Sequence, residues 1–165
     1  MQTATISELK KELAKLDPSR LTALCLRLAK YKKDNKELLT YLLFEAENEA
    51  AYANSVKSEI DEQMKGVKTH SVYLAKKGLR KILRLLDKRI RYSGNKETEA
   101  ELRIYFCRKI KMANIPVRRS RVLTNLYDGQ VKKIRAAISK LHEDLQYDYG
   151  VELEGVIYHH SQKEG

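Results

Sequence analysis

Two prolines and seven glycines in 165 residues leave this chain with little punctuation. So few breakers argue against a β-rich or loop-rich fold and suit long helices. Tryptophan is missing and phenylalanine occurs twice, against ten tyrosines. The two cysteines, Cys25 and Cys107, each sit within helical periodicity and far apart in the chain. They read as buried free thiols rather than a disulfide. No apolar run approaches the ~20 residues of a bilayer-spanning helix, and Met1–Ile6 lacks the basic and apolar segments of a secretory signal. The expected setting is cytoplasmic, with no membrane partner.

Catalytic signatures are also missing. The chain has no Walker-type glycine loop, no Gly-x-Ser-x-Gly elbow, no His-Glu-x-x-His and no Cys-x-x-Cys. None of its four histidines, His70, His142, His159 and His160, carries a glutamate three residues upstream as di-iron bundles require. His159-His160 reads as part of a mobile tail. Tyr73 and Lys77 reproduce a Tyr-x-x-x-Lys spacing found in some reductases, but that chemistry needs a nucleotide-binding α/β sheet, so the match is coincidence. The expectation is a protein that is not an enzyme and takes no metal or cofactor.

What the chain does have is charge, unevenly placed. Residues 1–65 hold 11 Lys/Arg and 11 Asp/Glu, residues 66–140 hold 21 and 5, and residues 141–165 hold 1 and 6. The overall +11 therefore conceals a neutral first part, a strongly basic middle and an acidic end. An excess of this size attracts polyanions over roughly a Debye length, about 8 Å at physiological salt.

Apolar periodicity predicts an all-α protein. Thr5 and Glu8 have capping-box spacing before Leu9, Leu13 and Leu16, giving a helix over 6–16. Asp17-Pro18 starts a second, with Leu21, Leu24, Cys25, Leu28 and Tyr31 on one stripe. From Asp34 a stripe runs through Leu39, Leu42, Ala46, Ala53, Val56, Ile60 and Met64 to Gly66, with the polar stretch Glu45–Glu49 as the place for a break. A fourth helix follows Thr69 or Ser71 and ends at Ser93-Gly94, and a fifth runs from Asn95 to Pro116. In the last, Val131, Ile134, Ile138, Leu141 and Leu145 keep phase without a fault to Tyr149-Gly150. Val151, Leu153, Val156 and Ile157 then suggest a short strand or extended segment. The expected architecture is a single domain, a multi-helix bundle or short helical-repeat-like array of five to seven helices. It divides into 1–66, a basic unit 67–150 and an acidic tail 151–165.

The sharpest feature lies on the fourth predicted helix. Lys77, Lys81, Arg84, Lys88 and Arg91 recur at spacings of four, three, four and three, each two residues beyond the apolar series Ala75, Leu79, Ile82 and Leu86. Two residues are about 200° of helical rotation, so the row faces away from the core. Eight cations lie between 76 and 91 against the single acid Asp87. Arg118, Arg119 and Arg121, just after Pro116, would extend this surface if the helices pack side by side. A solvated face is the plain alternative. Tyr92 and Tyr105 lie in the basic region and could stack on bases, although packing at helix interfaces is the commoner role.

The segments Leu9-Lys10-Lys11-Glu12-Leu13, Leu21-Thr22-Ala23-Leu24, Tyr31-Lys32-Lys33 and Lys36-Glu37-Leu38-Leu39-Thr40-Tyr41-Leu42 resemble the start of an uncharacterised bacterial helical family of unknown function. The resemblance covers about the first 45 residues. It implies a helical fold and a bacterial cytosolic setting, and transfers no catalytic residue. Two functions are compatible with the residues. One is a non-enzymatic module binding nucleic acid or another polyanion. The other is a protein-interaction or scaffold protein with no nucleic-acid role. An acidic protein partner would suit the same basic face, and the nearly heptad-like seams of the fourth and last helices admit a homodimer.

Overall fold

A computed structural model describes residues 1–158. They form α1 (Ile6–Leu13), α2 (Pro18–Tyr31), α3 (Lys33–Thr40), a π-helical turn (Tyr41–Glu45), α4 (Glu49–Lys65), α5 (Val72–Ser93), α6 (Lys96–Met112), a 3-10 turn (Val117–Arg119), α7 (Arg121–Ile138) and α8 (Glu143–Glu154). The protein is all-α, and the described residues contain no strand. His159 and His160 lie outside the described residues.

Local chemistry sets the boundaries. Glu8 N donates to Thr5 Oγ1 at 3.3 Å while Thr5 N donates to Glu8 Oε2 at 2.7 Å, closing the capping box of α1. Asp17 accepts from Arg20 N at 3.0 Å with Pro18 in the first turn of α2. Ser71, Asn95 and Ser120 cap α5, α6 and α7 in the same way. At the far end of α5, Gly94 takes φ 66°, a left-handed position that costs an L side chain energy.

The eight helices exceed the expected five to seven because two predicted helices are each broken. The long third helix stops where the polar stretch allowed it. The π turn closes with Ala46 N donating to Tyr41 O, and Asn48 then caps α4 by accepting from Ala51 N at 3.0 Å. The predicted last helix turns at Ser139–His142 and restarts as α8, with His142 as cap and Glu143 and Asp144 in the first turn. Periodicity could not reveal this corner, because the stripe through Ile138, Leu141 and Leu145 keeps phase across it. The predicted extended tail is accordingly the last turn of α8 and the turn after it, where Leu153 and Val156 are buried.

The chain separates into two compact units, Met1–Ala46 and Glu47 onward. The division falls near 46 rather than 66 because α4 packs on α5 and α6. In the second unit α6 is central, contacting α4, α5, α7 and α8, and is buried on nearly every side through Leu102, Ile104, Phe106, Cys107 and Ile110. Around it stand Val56 and Ile60 of α4, Leu79, Ile82 and Leu86 of α5, and Tyr127 and Ile134 of α7. Burying each of these side chains contributes about 1.5–3 kcal/mol. The apolar seam of α5 is consumed by this core. Cys107 is buried and its thiol is pushed up to about 12 by that burial. Cys25, expected to be buried, is exposed.

In the first unit only Tyr41 is buried. Here α2 and α3 pack on each other. Between them lies an apolar groove of about 270 Å³ lined by Cys25, Leu28, Ala29, Asn35, Leu38, Leu39 and Leu42.

Two glycines give opposite expectations. Gly94→Ala should destabilise the protein by about 1–2 kcal/mol through left-handed strain. Gly129 lies inside α7 with no atom within 4 Å of an added Cβ, so Gly129→Ala should stabilise it by about 0.5–1 kcal/mol. Urea denaturation midpoints measure both, and shifts of the same sign would refute the assignment.

Candidate polyanion interface

The core stripe of α5 turns its opposite side outward. Lys77, Lys81, Arg84 and Arg91 are exposed and Lys88 is half-buried. Among the described residues Lys77, Arg80, Lys81, Arg84 and Arg91 take part in no ion pair. Elsewhere in the second unit several cations are matched, although Arg119, Arg121, Lys132, Arg135 and Lys140 also take part in no ion pair among the described residues. Lys57 pairs with Glu101, Arg89 with Glu59 at 2.9 Å, Lys109 with Asp61 at 2.8 Å and Arg108 with Glu152 at 3.4 Å. A row of unmatched positive charge thus runs along the outer face of α5 for ~21 Å at 1.5 Å per residue.

Asp87, the only acid between Lys76 and Arg91, does not neutralise the row. Arg103 of α6 is buried, and its Nη2 lies 2.9 Å from Asp87 Oδ1, a charge contact without hydrogen-bond geometry. The same guanidinium donates from Nε to Glu99 Oε1 at 3.1 Å and from Nη1 to Gln130 Oε1 at 2.8 Å. Lys133 of α7 also approaches Asp87, at 3.5 Å. The cluster ties α5, α6 and α7 together. Removing one partner of such a buried group typically costs about 3–5 kcal/mol.

Beside this clamp, α5 and α7 enclose a surface groove of about 470 Å³. Leu83, Val122 and Leu126 supply its apolar part, and Arg80 and Lys133 its charge. One turn before Lys77 on α5, Tyr73 is 63% exposed, with Lys76 Nζ 5.2 Å from its ring centroid. The basic face therefore adjoins an apolar groove and carries an exposed ring. Sequence reasoning missed the groove, although Val122 and Leu126 stand one turn apart on α7. It set Tyr73 aside by weighing only its spacing to Lys77.

The arginines after Pro116 divide. Arg118 points its Nη1 at Asp128 Oδ2 (3.3 Å), donates from Nη2 to Tyr158 O (3.2 Å) and lies 5.2 Å from the Tyr158 ring centroid. These contacts hold the segment after α8. Arg119 and Arg121 are exposed, with no ion pair among the described residues. Tyr105 donates to Asp61 Oδ2 at 2.7 Å and is flanked by Lys57 and Lys109, while Tyr92 is half-buried near Arg89. Both rings are engaged within the fold. A polar depression of about 290 Å³ between α4, α6 and α8 holds Lys57, Glu101, Arg108 and Glu152, whose charges match in pairs.

The clamp has a pH signature. Burial pushes the Glu99 carboxyl upward, but hydrogen bonds and charge from Lys96 and Arg103 outweigh it and hold the group below its ordinary range. A carboxylate whose folded pKa is depressed stabilises the fold above its unfolded pKa, about 4.3 for glutamate. That contribution is lost as falling pH passes the folded value. Stability from denaturant titration should therefore fall below about pH 4, and less steeply in Glu99→Gln. Equal slopes in the two proteins would remove Glu99 from the acid response.

Compared with known proteins, the chain matches no family model, no curated protein and no solved structure.

Proposed function

We propose that this protein is a non-enzymatic, cytoplasmic multi-helix module that binds a polyanion, the phosphate backbone of nucleic acid, through the outer face of α5. The reading rests on a row of exposed, unmatched cations along one face of a single helix. Lys77, Lys81, Arg84 and Arg91 stand exposed in steps of three, four and seven residues and meet no acid among the described residues. Lys88 lies on the same face. A row ~21 Å long spans about six phosphates of one strand at 3.4 Å of axis each. Neutralising phosphates releases condensed counterions, which makes binding favourable and salt-dependent without reading sequence. Arg80, Arg119 and Arg121 add charge beside the row, whereas Arg118 serves the fold.

The test replaces Lys77, Lys81 and Arg84 with glutamine. All three side chains face solvent and glutamine is a good helix former, so stability should change by less than about 0.5 kcal/mol. Three lost contacts should flatten the slope of log K against log[salt] by about 2.7 on duplex or about 2 on single strand. Affinity near 0.1 M salt should fall by about 10²-fold or more. Fluorescence anisotropy with labelled oligonucleotides over a salt series measures both. Unchanged affinity and slope would reduce the row to a solvated face and favour the scaffold reading.

A further inference from the structure

Beyond any polyanion binding, the first unit presents a different surface. Apart from Met1, ten of its large apolar side chains are between 40% and 82% exposed, among them Leu9, Leu13, Leu24, Leu28, Leu42 and Phe44. Together they leave the equivalent of six whole residues in water, on the order of 1,000 Å² at aromatic-like sizes. They spread over more than one side because Leu24 and Leu26 stand about 200° apart on α2, so a single interface takes up only part of this area. A standard protein interface buries about 800 Å² from each partner. A segment of this length with one buried residue cannot hold a fold by its own core, and chains so small usually need a staple or self-association.

The same unit carries both halves of a complementary contact. Between α2 and α3 is the hole, the groove of about 270 Å³ lined by Leu28, Leu38, Leu39 and Leu42. On α1 is a ridge, with Ile6, Leu9 and Leu13 exposed at spacings of three and four. Ridge and hole on one molecule are what a two-fold interface requires, because each copy then supplies the part the other lacks. The ridge has charges of both signs beside it, Glu8 and Glu12 with Lys10, Lys11 and Lys15.

We infer that the apolar face of Met1–Ala46 is covered by the same face of a second copy of this chain, the α1 ridge of each entering the α2–α3 groove of the other. Cys25 lines that groove and is exposed in the single chain, whereas Cys107 is buried. The native thiol reaction therefore reports on the interface.

Sedimentation over a concentration series, on nuclease-treated full-length protein at ~0.5 M salt to screen charge, should give twice the 19.1 kDa of one chain at ~100 μM. Dilution should return it to one chain. Cys25 should react with a thiol reagent at least tenfold more slowly in the associated range. Leu28→Glu with Leu42→Glu changes only exposed positions. It should keep the helical circular dichroism, abolish association and restore fast Cys25 reaction at every concentration, whereas Leu28→Met should still associate. A strict monomer would overturn the inference, whether Cys25 reacts freely or is protected within its own chain. So would an association that the double variant leaves unchanged. Because the probe is self-association in salt that weakens phosphate contacts, neither result bears on the α5 face.

Discussion

Arg103 is the group on which the second unit's arrangement turns. A guanidinium cannot be deprotonated at ordinary pH, so a buried one must find acceptors or forfeit several kcal/mol. It finds acceptors in Glu99 on α6 and Gln130 on α7, and opposite charge in Asp87 on α5. This requirement fixes three helices against one point, and it draws the one acid of the basic α5 stretch toward the core. The outer face is left positive as a consequence. Asp87, whose side chain stays 38% exposed, is turned toward Arg103 and Lys133 rather than paired with the row.

That asymmetry has a cost. Cations three and four residues apart on a helix repel by a few tenths of a kcal/mol per pair. The row contains several such pairs with no compensating acid among the described residues at Lys77, Lys81, Arg84 or Arg91. Meanwhile Glu59, Asp61, Glu101 and Glu152 pair with cations of α4, α5 and α6. The repulsion is small enough for a well-packed α5 to bear, since its inner side buries Ala75, Leu79, Ile82, Leu86 and Ile90. A phosphate backbone would relieve it, so the same charges that strain the free protein favour the bound one.

Features resting on local chemistry could be read from the residues. The capping box at Thr5 and Glu8, the Asp17-Pro18 start, the Gly94 stop and the outward direction of the α5 row follow from spacing and side-chain type. Features resting on tertiary packing could not. The corner at Ser139–His142 preserves phase, so periodicity passes through it unaltered. Arg103 reads as an exposed cation, and the only hint of its role is Glu99 one turn earlier. The exposure of Cys25, Leu24 and Leu28 was equally hidden, because a stripe shows which side of a helix is apolar and not what covers it. Arg118 looks the same in sequence as Arg119, yet it contacts Asp128 ten residues on and the Tyr158 carbonyl 40 residues away.

The two units thus obey different constraints. From Glu47 onward, a buried core closes around α6 and needs nothing further. Met1–Ala46 has side-chain caps on α1 and α2 and one buried side chain, so it closes no comparable core of its own. Pairing of first units would tether two basic faces, converting the second phosphate contact into an intramolecular event. The gain is set by an effective concentration, which is high only if both rows reach one strand together. The benefit to polyanion binding therefore depends on that reach rather than on any further contact, and the length of nucleic acid at which affinity jumps would measure the distance between the rows.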